Sequence, residues 1–141
     1  MIRSATNEEI LNWDQLILKN PDHGHLYQSF LWGEYKSGYD WRPHRLIWED
    51  GDSRVAIQAI AKQATGFGTL WYTPKGPGMF AGYSPEKADA ARFKQFTKEL
   101  TDYISKHDPR AFMIMVDPEL FDGSFAPQKA GWKKSHHDLQ F

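Results

Sequence analysis

The chain contains no cysteine. That absence excludes a disulfide framework and thiolate chemistry, and it is compatible with the cytoplasm. Nor does the chain carry an excess of one charge. Its 17 Lys and Arg against 18 Asp and Glu leave a formal net charge of -1, which argues against a dedicated nucleic-acid binder with the usual basic surface. No apolar run approaches the length needed to span a bilayer. The opening residues Met1-Ile2-Arg3-Ser4-Ala5-Thr6-Asn7 lack the apolar centre of a signal peptide. No repeat, low-complexity tract or Pro/Gly/Ser-rich linker divides the sequence. The expectation is a soluble cytoplasmic protein with no integral membrane segment, forming one domain over residues 1–141. What the chain has in excess is aromatic rings, 15% of residues with six Trp among them. Such side chains fill cores and also line grooves for sugars, peptides and bases.

Local patterns predict the elements. Thr6 and Glu9 have capping-box spacing, and Ile10, Leu11, Ile17 and Leu18 recur near helical spacing, which predicts a helix over 7–19 stopped by Asn20-Pro21. Ser29 is the expected N-cap of a second helix over 29–39. His44, Leu46 and Trp48 alternate with Arg45, Ile47 and Glu49. Asp50-Gly51 is a hairpin turn, and Val55, Ile57, Ala59 and Ala61 face one way on the return strand, with Gln58 and Lys62 on the other side. A third strand over 69–73 ends at Pro74-Lys75-Gly76-Pro77-Gly78. Ser84-Pro85-Glu86 reads as a helix start, and Phe93, Phe96, Leu100, Tyr103 and Ile104 as its buried stripe, ending near His107. Phe112-Met113-Ile114-Met115-Val116 suits a central strand covered on both faces. A short helix over 124–129 and a last strand over 133–141 complete the order. A hairpin feeding a strand-helix-strand unit predicts an α/β (α+β) fold, a mixed sheet flanked by helices and compatible with the GNAT type.

Several groups are candidates for chemistry. Trp32 and Lys36 lie four apart and so share a helix face, either as a lysine packed along an indole or as a cation and ring offered to an anionic ligand. Lys75 sits in a turn whose Gly76-Pro77-Gly78 backbone lets a ligand approach closely. Gln63-Ala64-Thr65-Gly66-Phe67-Gly68 matches the spelling of an acetyl-CoA pyrophosphate loop. Such a loop must open a helix for its amides to face phosphates, and here it opens a strand, so a hairpin loop is the preferred reading. His23, His25, His136 and His137 lack the spacing of metal ligands, and His25 is expected to be a hydrogen-bonding loop residue. Asp117 and Glu119 follow the apolar strand, but Asp117 is expected to cap the turn at Pro118.

Four of these segments, taken in order, resemble one family. Pro21-x-x-Gly24-His25-Leu26-Tyr27-Gln28-Ser29-x-x-Trp32-x-x-x-Lys36 is similar to the opening motif of the FemABX peptidyltransferases. Tyr72-x-Pro74-Lys75-Gly76-Pro77 resembles their Y-x-P-R/K-G-P turn, Val116-Asp117-Pro118-Glu119 their strand-end I/V-D-P-E, and Gly131-Trp132 with Leu139-Gln140 their G-W...I-Q segment. The resemblance implies a GNAT-like fold, with this chain matching the first of two such domains and a second domain missing. It implies an aminoacyltransferase that moves an amino acid from aminoacyl-tRNA, as co-substrate and without a further cofactor, to the stem peptide of a peptidoglycan precursor. That precursor is a UDP-muramyl peptide or its lipid-linked form. Carried over by motif, Lys36 helps hold the precursor's pyrophosphate, Trp32 and Tyr35 support that helix or line the cleft, and Tyr72 with Lys75 and Gly76 flanks the stem peptide. Many relatives place an acid a few residues after the glycine-proline turn. Gly78-Met79-Phe80-Ala81-Gly82 has none. The isolated chain is expected to be inactive or very weak. The other readings are a stand-alone acyl-CoA-dependent N-acetyltransferase, with acetyl-CoA held at 63–68, and a non-catalytic binding module.

Overall fold

The computed structural model describes residues 1–80, 90–118 and 131–133. The helix start at 84–86, the short helix at 124–129, almost all of the last strand, Gly82, Glu119, His136, His137, Leu139 and Gln140 lie outside the described residues.

Five strands form one sheet in the order β1 (Ile2–Ser4), β2 (Trp41–Asp50), β3 (Ser53–Ala64), β4 (Gly68–Thr73), β5 (Ala111–Val116). The pairs β1–β2, β2–β3 and β3–β4 are antiparallel, while β4 and β5 are parallel. The parallel pair follows from its connection. Helix α4 (Ala90–His107) lies between the two strands in sequence and crosses one face of the sheet, as a strand-helix-strand unit requires. The fold is thus the mixed, helix-flanked α+β sheet expected. Strand β1 was not anticipated, because three residues with one buried side chain, Ile2, leave too short a pattern to read.

The strand alternation sorts the core into two layers. Leu46, Trp48, Val55, Ile57, Ala59, Ala61 and Trp71 meet Phe93, Phe96, Leu100 and Ile104 of α4. On the opposite face Ile47 and Ala56 pack under Trp13 and Ile17, and Trp41, Ile60 and Tyr72 form a second apolar group beside Trp32. Both faces of β2 and β3 are therefore covered. The side of β3 that carries Gln58, opposite Val55, Ile57, Ala59 and Ala61 as read from the alternation, is thus an inner face too, and Gln58 is completely buried. Strand β5 departs the other way. Its Phe112 and Met113 are each 47% exposed, so the apolar run is not covered on both sides along its length.

The N-terminal helix is two helices, α1 (Asn7–Leu11) and α2 (Trp13–Leu18). Thr6 and Glu9 close the capping box as read from their spacing. The break falls at Asn12, whose side-chain amide donates to the Glu8 carbonyl at 3.0 Å while its own backbone leaves the helical region at φ -107, ψ 20. Asparagine competes for backbone groups in this way. The break turns Trp13 inward, where its indole donates to the Gln28 carbonyl at 2.9 Å.

His44, on the α4 side of β2, lies 4.1 Å from the Trp71 ring, and its Nε2 is buried without a hydrogen-bond partner among the described residues. Burial, with Arg42 nearby and against the pull of Asp108, lowers its pKa to about 4. Between that value and the ordinary one the unfolded chain binds the extra proton. The stabilising effect is whole above the unfolded pKa and is lost as pH falls through the folded one. Urea midpoints should therefore drop on going from about pH 7 to about pH 5, and His44→Phe, which keeps a ring on Trp71, should flatten that dependence. An unchanged slope in the variant would refute the assignment.

Candidate ligand-binding site

Helix α3 (Phe30–Ser37) starts where its sequence dictates. Ser29 is extended, and its hydroxyl accepts from the Trp32 amide at 3.2 Å. The helix lies close on the sheet through Gly33, since a Cβ there would run into the carboxamide of Gln58. That approach turns Trp32 and Lys36 inward. The Lys36 Nζ is 5.7 Å from the Trp32 ring, 5.8 Å from Tyr39 and 6.0 Å from Trp41, and the residue is only 7% exposed. Its pKa is lowered, first by burial and then by Lys62, with Tyr39 opposing. Tyr35 points elsewhere. It is exposed and pairs with Tyr39, ring to ring at 5.0 Å and hydroxyl to hydroxyl at 3.3 Å.

The turn bearing Lys75 is placed by a second device. Strand β3 is twice the length of β4, and their pairing stops at Ile60↔Tyr72. Beyond that point the β3 edge would expose backbone groups inside the protein, a cost folded chains avoid. Two side-chain amides take the place of the missing strand. Asn20 accepts from the Ala56 amide at 2.9 Å and donates to the Ala56 carbonyl at 2.8 Å. Gln28 accepts from the Gln58 amide at 2.7 Å and donates to the Gln58 carbonyl at 2.9 Å. The Gln28 nitrogen also donates to the Pro74 carbonyl at 2.6 Å, so one buried carboxamide joins β3, the turn after β4 and the segment leading into α3.

Past Pro74 the chain bends through Lys75, with φ +48, and a cis Gly76-Pro77 bond. The Asp117 amide closes this bend by donating to the Gly76 carbonyl at 3.1 Å. The turn begun at Pro118, which the Asp117 side chain was expected to cap, runs into residues outside those described. Among the described residues the Asp117 side chain has as partners the Tyr72 hydroxyl, which donates to Oδ2 at 3.2 Å, and the Lys75 ammonium at 3.4 Å from the same oxygen. The parallel register explains this, because Tyr72 pairs with Met115 and Asp117 follows two residues later on the same face.

The structure therefore brings Trp32, Lys36 and Tyr72 to one face of the sheet around Trp41 and Ile60, with Lys75 and Gly76 adjoining through Asp117. Tyr35 stays outside that group. Trp41 and Gln28 were not singled out from the sequence. Gln28 stood inside the quoted motif, yet a buried glutamine carries no mark until its partners are known, and Trp41 lies before the expected start of its strand. The 63–68 segment is the end of β3, the turn at 65–67 and the first residue of β4, with the Phe67 amide donating to the Ala64 carbonyl at 3.1 Å and a strand, not a helix, following it. His25 accepts from the Tyr27 amide through Nδ1 at 3.1 Å, as a loop residue does.

Comparison with known proteins adds three findings. The sequence model of the FemAB family matches residues 7–138. No curated protein matches the chain. Among solved structures, the chain is similar to the crystal structure of a transcriptional regulator from Bacillus halodurans C-125, with TM-score 0.56, 11% identity and coverage of 100% of this chain and 97% of that one. At that identity the likeness concerns the fold alone.

Proposed function

This chain belongs to the FemAB family, and from that premise we propose that it is the precursor-binding half of an aminoacyl-tRNA-dependent transferase acting on the stem peptide of a peptidoglycan precursor. One observation supports the reading most directly. The apolar group of Trp41, Ile60 and Tyr72 sits between the lysine of α3 and the Lys75 turn, so both flank one patch of the sheet. Lys36 contributes positive charge for the precursor's pyrophosphate, with Trp32 holding its stem. Tyr72, Lys75 and Gly76 flank the stem peptide. Asp117, tied to Tyr72 and Lys75, supplies a carboxylate near a turn whose following segment has none, and it is placed to accept a hydrogen bond from the acceptor amine.

The reaction is aminolysis of an ester. The acceptor nitrogen attacks the aminoacyl carbonyl, the bond to the ribose oxygen breaks, and that oxygen takes a proton as it leaves. Positioning supplies most of the acceleration in such a step. The isolated chain would then bind without appreciable turnover, and transfer from charged tRNA by these residues alone would overturn the half-enzyme reading.

Titrating UDP-muramyl pentapeptide into labelled protein should shift signals of Lys36, Tyr72 and Lys75. Lys36→Met should weaken binding by about tenfold or more, the scale of one charge-assisted contact. No saturable binding of either precursor form would refute the proposal. Shifts on adding acetyl-CoA that cluster at 63–68 would support the acetyltransferase instead.

A further inference from the structure

The turn between β3 and β4 carries an exposed ring. Phe67 is 78% exposed, belongs to none of the apolar clusters of the core, and follows Gly66, where a built Cβ meets nothing within 4 Å. The turn itself is closed by backbone, the Phe67 amide donating to the Ala64 carbonyl, and does not need the ring. Phe112 of β5 is 47% exposed and brings a second ring to 6.3 Å from the first. One exposed apolar side chain is ordinary, but two rings meeting from separate segments call for a reason. The charge around them has one sign. The loop from α4 to β5 adjoins the turn, since the Arg110 carbonyl accepts from the Thr69 amide at 2.9 Å. Arg110 is exposed in that loop and Lys106 is exposed in the last turn of α4, and among the described residues neither pairs with a carboxylate. The acid of the loop, Asp108, is occupied, accepting from the Trp71 indole at 2.9 Å and the Arg110 amide at 3.2 Å. Burial raises its pKa, but the Trp71, Thr69 and Arg110 hydrogen bonds and the Arg42 charge outweigh that and lower it. Arg42 thus offsets Asp108, and Lys106 and Arg110 leave the rim basic in a chain whose net charge is -1.

We propose that this tip docks on an anionic lipid surface, the Phe67 and Phe112 rings entering the headgroup layer and Lys106 and Arg110 meeting the phosphates. Area and geometry favour a lipid surface over a macromolecule. An aromatic side chain buries about 150–250 Å². Two of them, each already covered in part, fall well below the roughly 800 Å² per partner of a stable protein interface. The rings are inclined at 43° and so form no parallel slot for a nucleic-acid base. A membrane needs neither, because its hold on a surface patch grows with the apolar area inserted and with basic residues near anionic lipid. The proposed contact is peripheral; no helix among the described residues is long and apolar enough to cross a membrane. The tip precedes β4 and the Lys75 turn follows it, so the six residues of that strand hold the two apart by roughly 20 Å. Docking at the tip is therefore separable from the candidate site and does not depend on the precursor reading.

The test is sedimentation of the 141-residue chain with phosphatidylcholine vesicles and with vesicles of equal parts phosphatidylcholine and phosphatidylglycerol. At low salt the wild type should bind the mixed vesicles about tenfold more tightly than the neutral ones. Phe67→Ser should weaken that binding by about tenfold or more. Lys106→Gln and Arg110→Gln should each weaken it by about fivefold, the scale of one basic residue at an anionic surface. Leu11→Ser removes an apolar side chain that is 86% exposed on α1, away from the tip, and should leave binding unchanged. Every side chain replaced is exposed, so the variants should unfold near the wild-type temperature. A second readout keeps the wild-type rings. The chain has no cysteine, so Thr65→Cys takes a single polarity-sensitive dye beside Phe67, and its emission should shift to the blue on the mixed vesicles. No binding to the mixed vesicles, equal binding to both kinds, a loss in Leu11→Ser as large as in Phe67→Ser, or an unshifted dye overturns the proposal. Binding of single-stranded RNA that Phe67→Ser abolishes, without binding of vesicles, also overturns it and assigns the tip to RNA.

Discussion

Gln28→Leu should destabilise the chain by about 3–5 kcal/mol, read as a lowered urea midpoint at nearly constant m-value. The leucine fills the space but removes the partners of three buried backbone groups: the Gln58 amide, the Gln58 carbonyl and the Pro74 carbonyl. Each group left unpaired in the interior costs about 1–3 kcal/mol, and none can be rehydrated without opening the edge of β3. Against a typical stability of about 5–15 kcal/mol this leaves a marginal fold. Asn20→Leu is the internal control. It strands only the Ala56 amide and carbonyl, and should cost less. The two variants should also differ in reach. Gln28 bonds the turn after β4 and Asn20 does not, so amide signals of Lys75 and Gly76 should move in the first variant and stay in the second. Equal losses in the two, or a silent turn in Gln28→Leu, would show that the carboxamide does not hold the turn.

The second large effect is expected at the other end of β4. Gly68→Ala should cost about 2–4 kcal/mol, whereas Gly66→Ala two residues earlier should cost about 1–2 kcal/mol. Both glycines have positive φ, +82 at Gly66 and +120 at Gly68, so both substitutions are strained. They differ in their surroundings. Nothing stands within 4 Å of a Cβ built on Gly66, while one on Gly68 would run into the Arg110 carbonyl. That carbonyl accepts from the Thr69 amide at 2.9 Å and opens the contact between β4 and β5. The added methyl group must push the parallel pair apart at its first bond, and the disturbance should pass along the register to Tyr72 and Met115. Thermal unfolding of both variants checks the difference. Gly68→Ala no worse than Gly66→Ala would mean that β5 docks more loosely than the register states. The comparison also bears on the acetyl-CoA spelling. These glycines are accounted for by a tight hairpin and a close strand approach, without a phosphate.

Much of the scaffold was legible from neighbouring residues. Ser29 caps α3, Thr6 and Glu9 close their box, Asp50-Gly51 turns the hairpin, and Phe93, Phe96, Leu100 and Ile104 line α4. Each of these is a local event, decided within one turn of helix or one strand pair, so spacing and residue type suffice. The pairing of Trp32 with Lys36 was legible for the same reason. The Asn12 break was not, because the periodicity runs through it and the competing bond is made by a side chain that is also tolerated within helices. The contacts of Asp117 with Lys75 and Tyr72 were not legible either, because those partners are 42 and 45 residues away in sequence.

By itself, then, the sequence determined the start of α3, the buried stripe of α4, the hairpin and the face of α3 that carries Trp32 and Lys36, and its four ordered motifs pointed to the FemAB family. Tertiary structure alone decided that Gln28 stands in for a strand, that Asp117 joins Tyr72 and Lys75, and that Lys36 lies by the Trp41 ring. The contacts of Gln28 and Asp117 unite segments far apart along the chain. Which buried polar group finds which partner depends on where strands of unequal length stop pairing, and no local pattern encodes that.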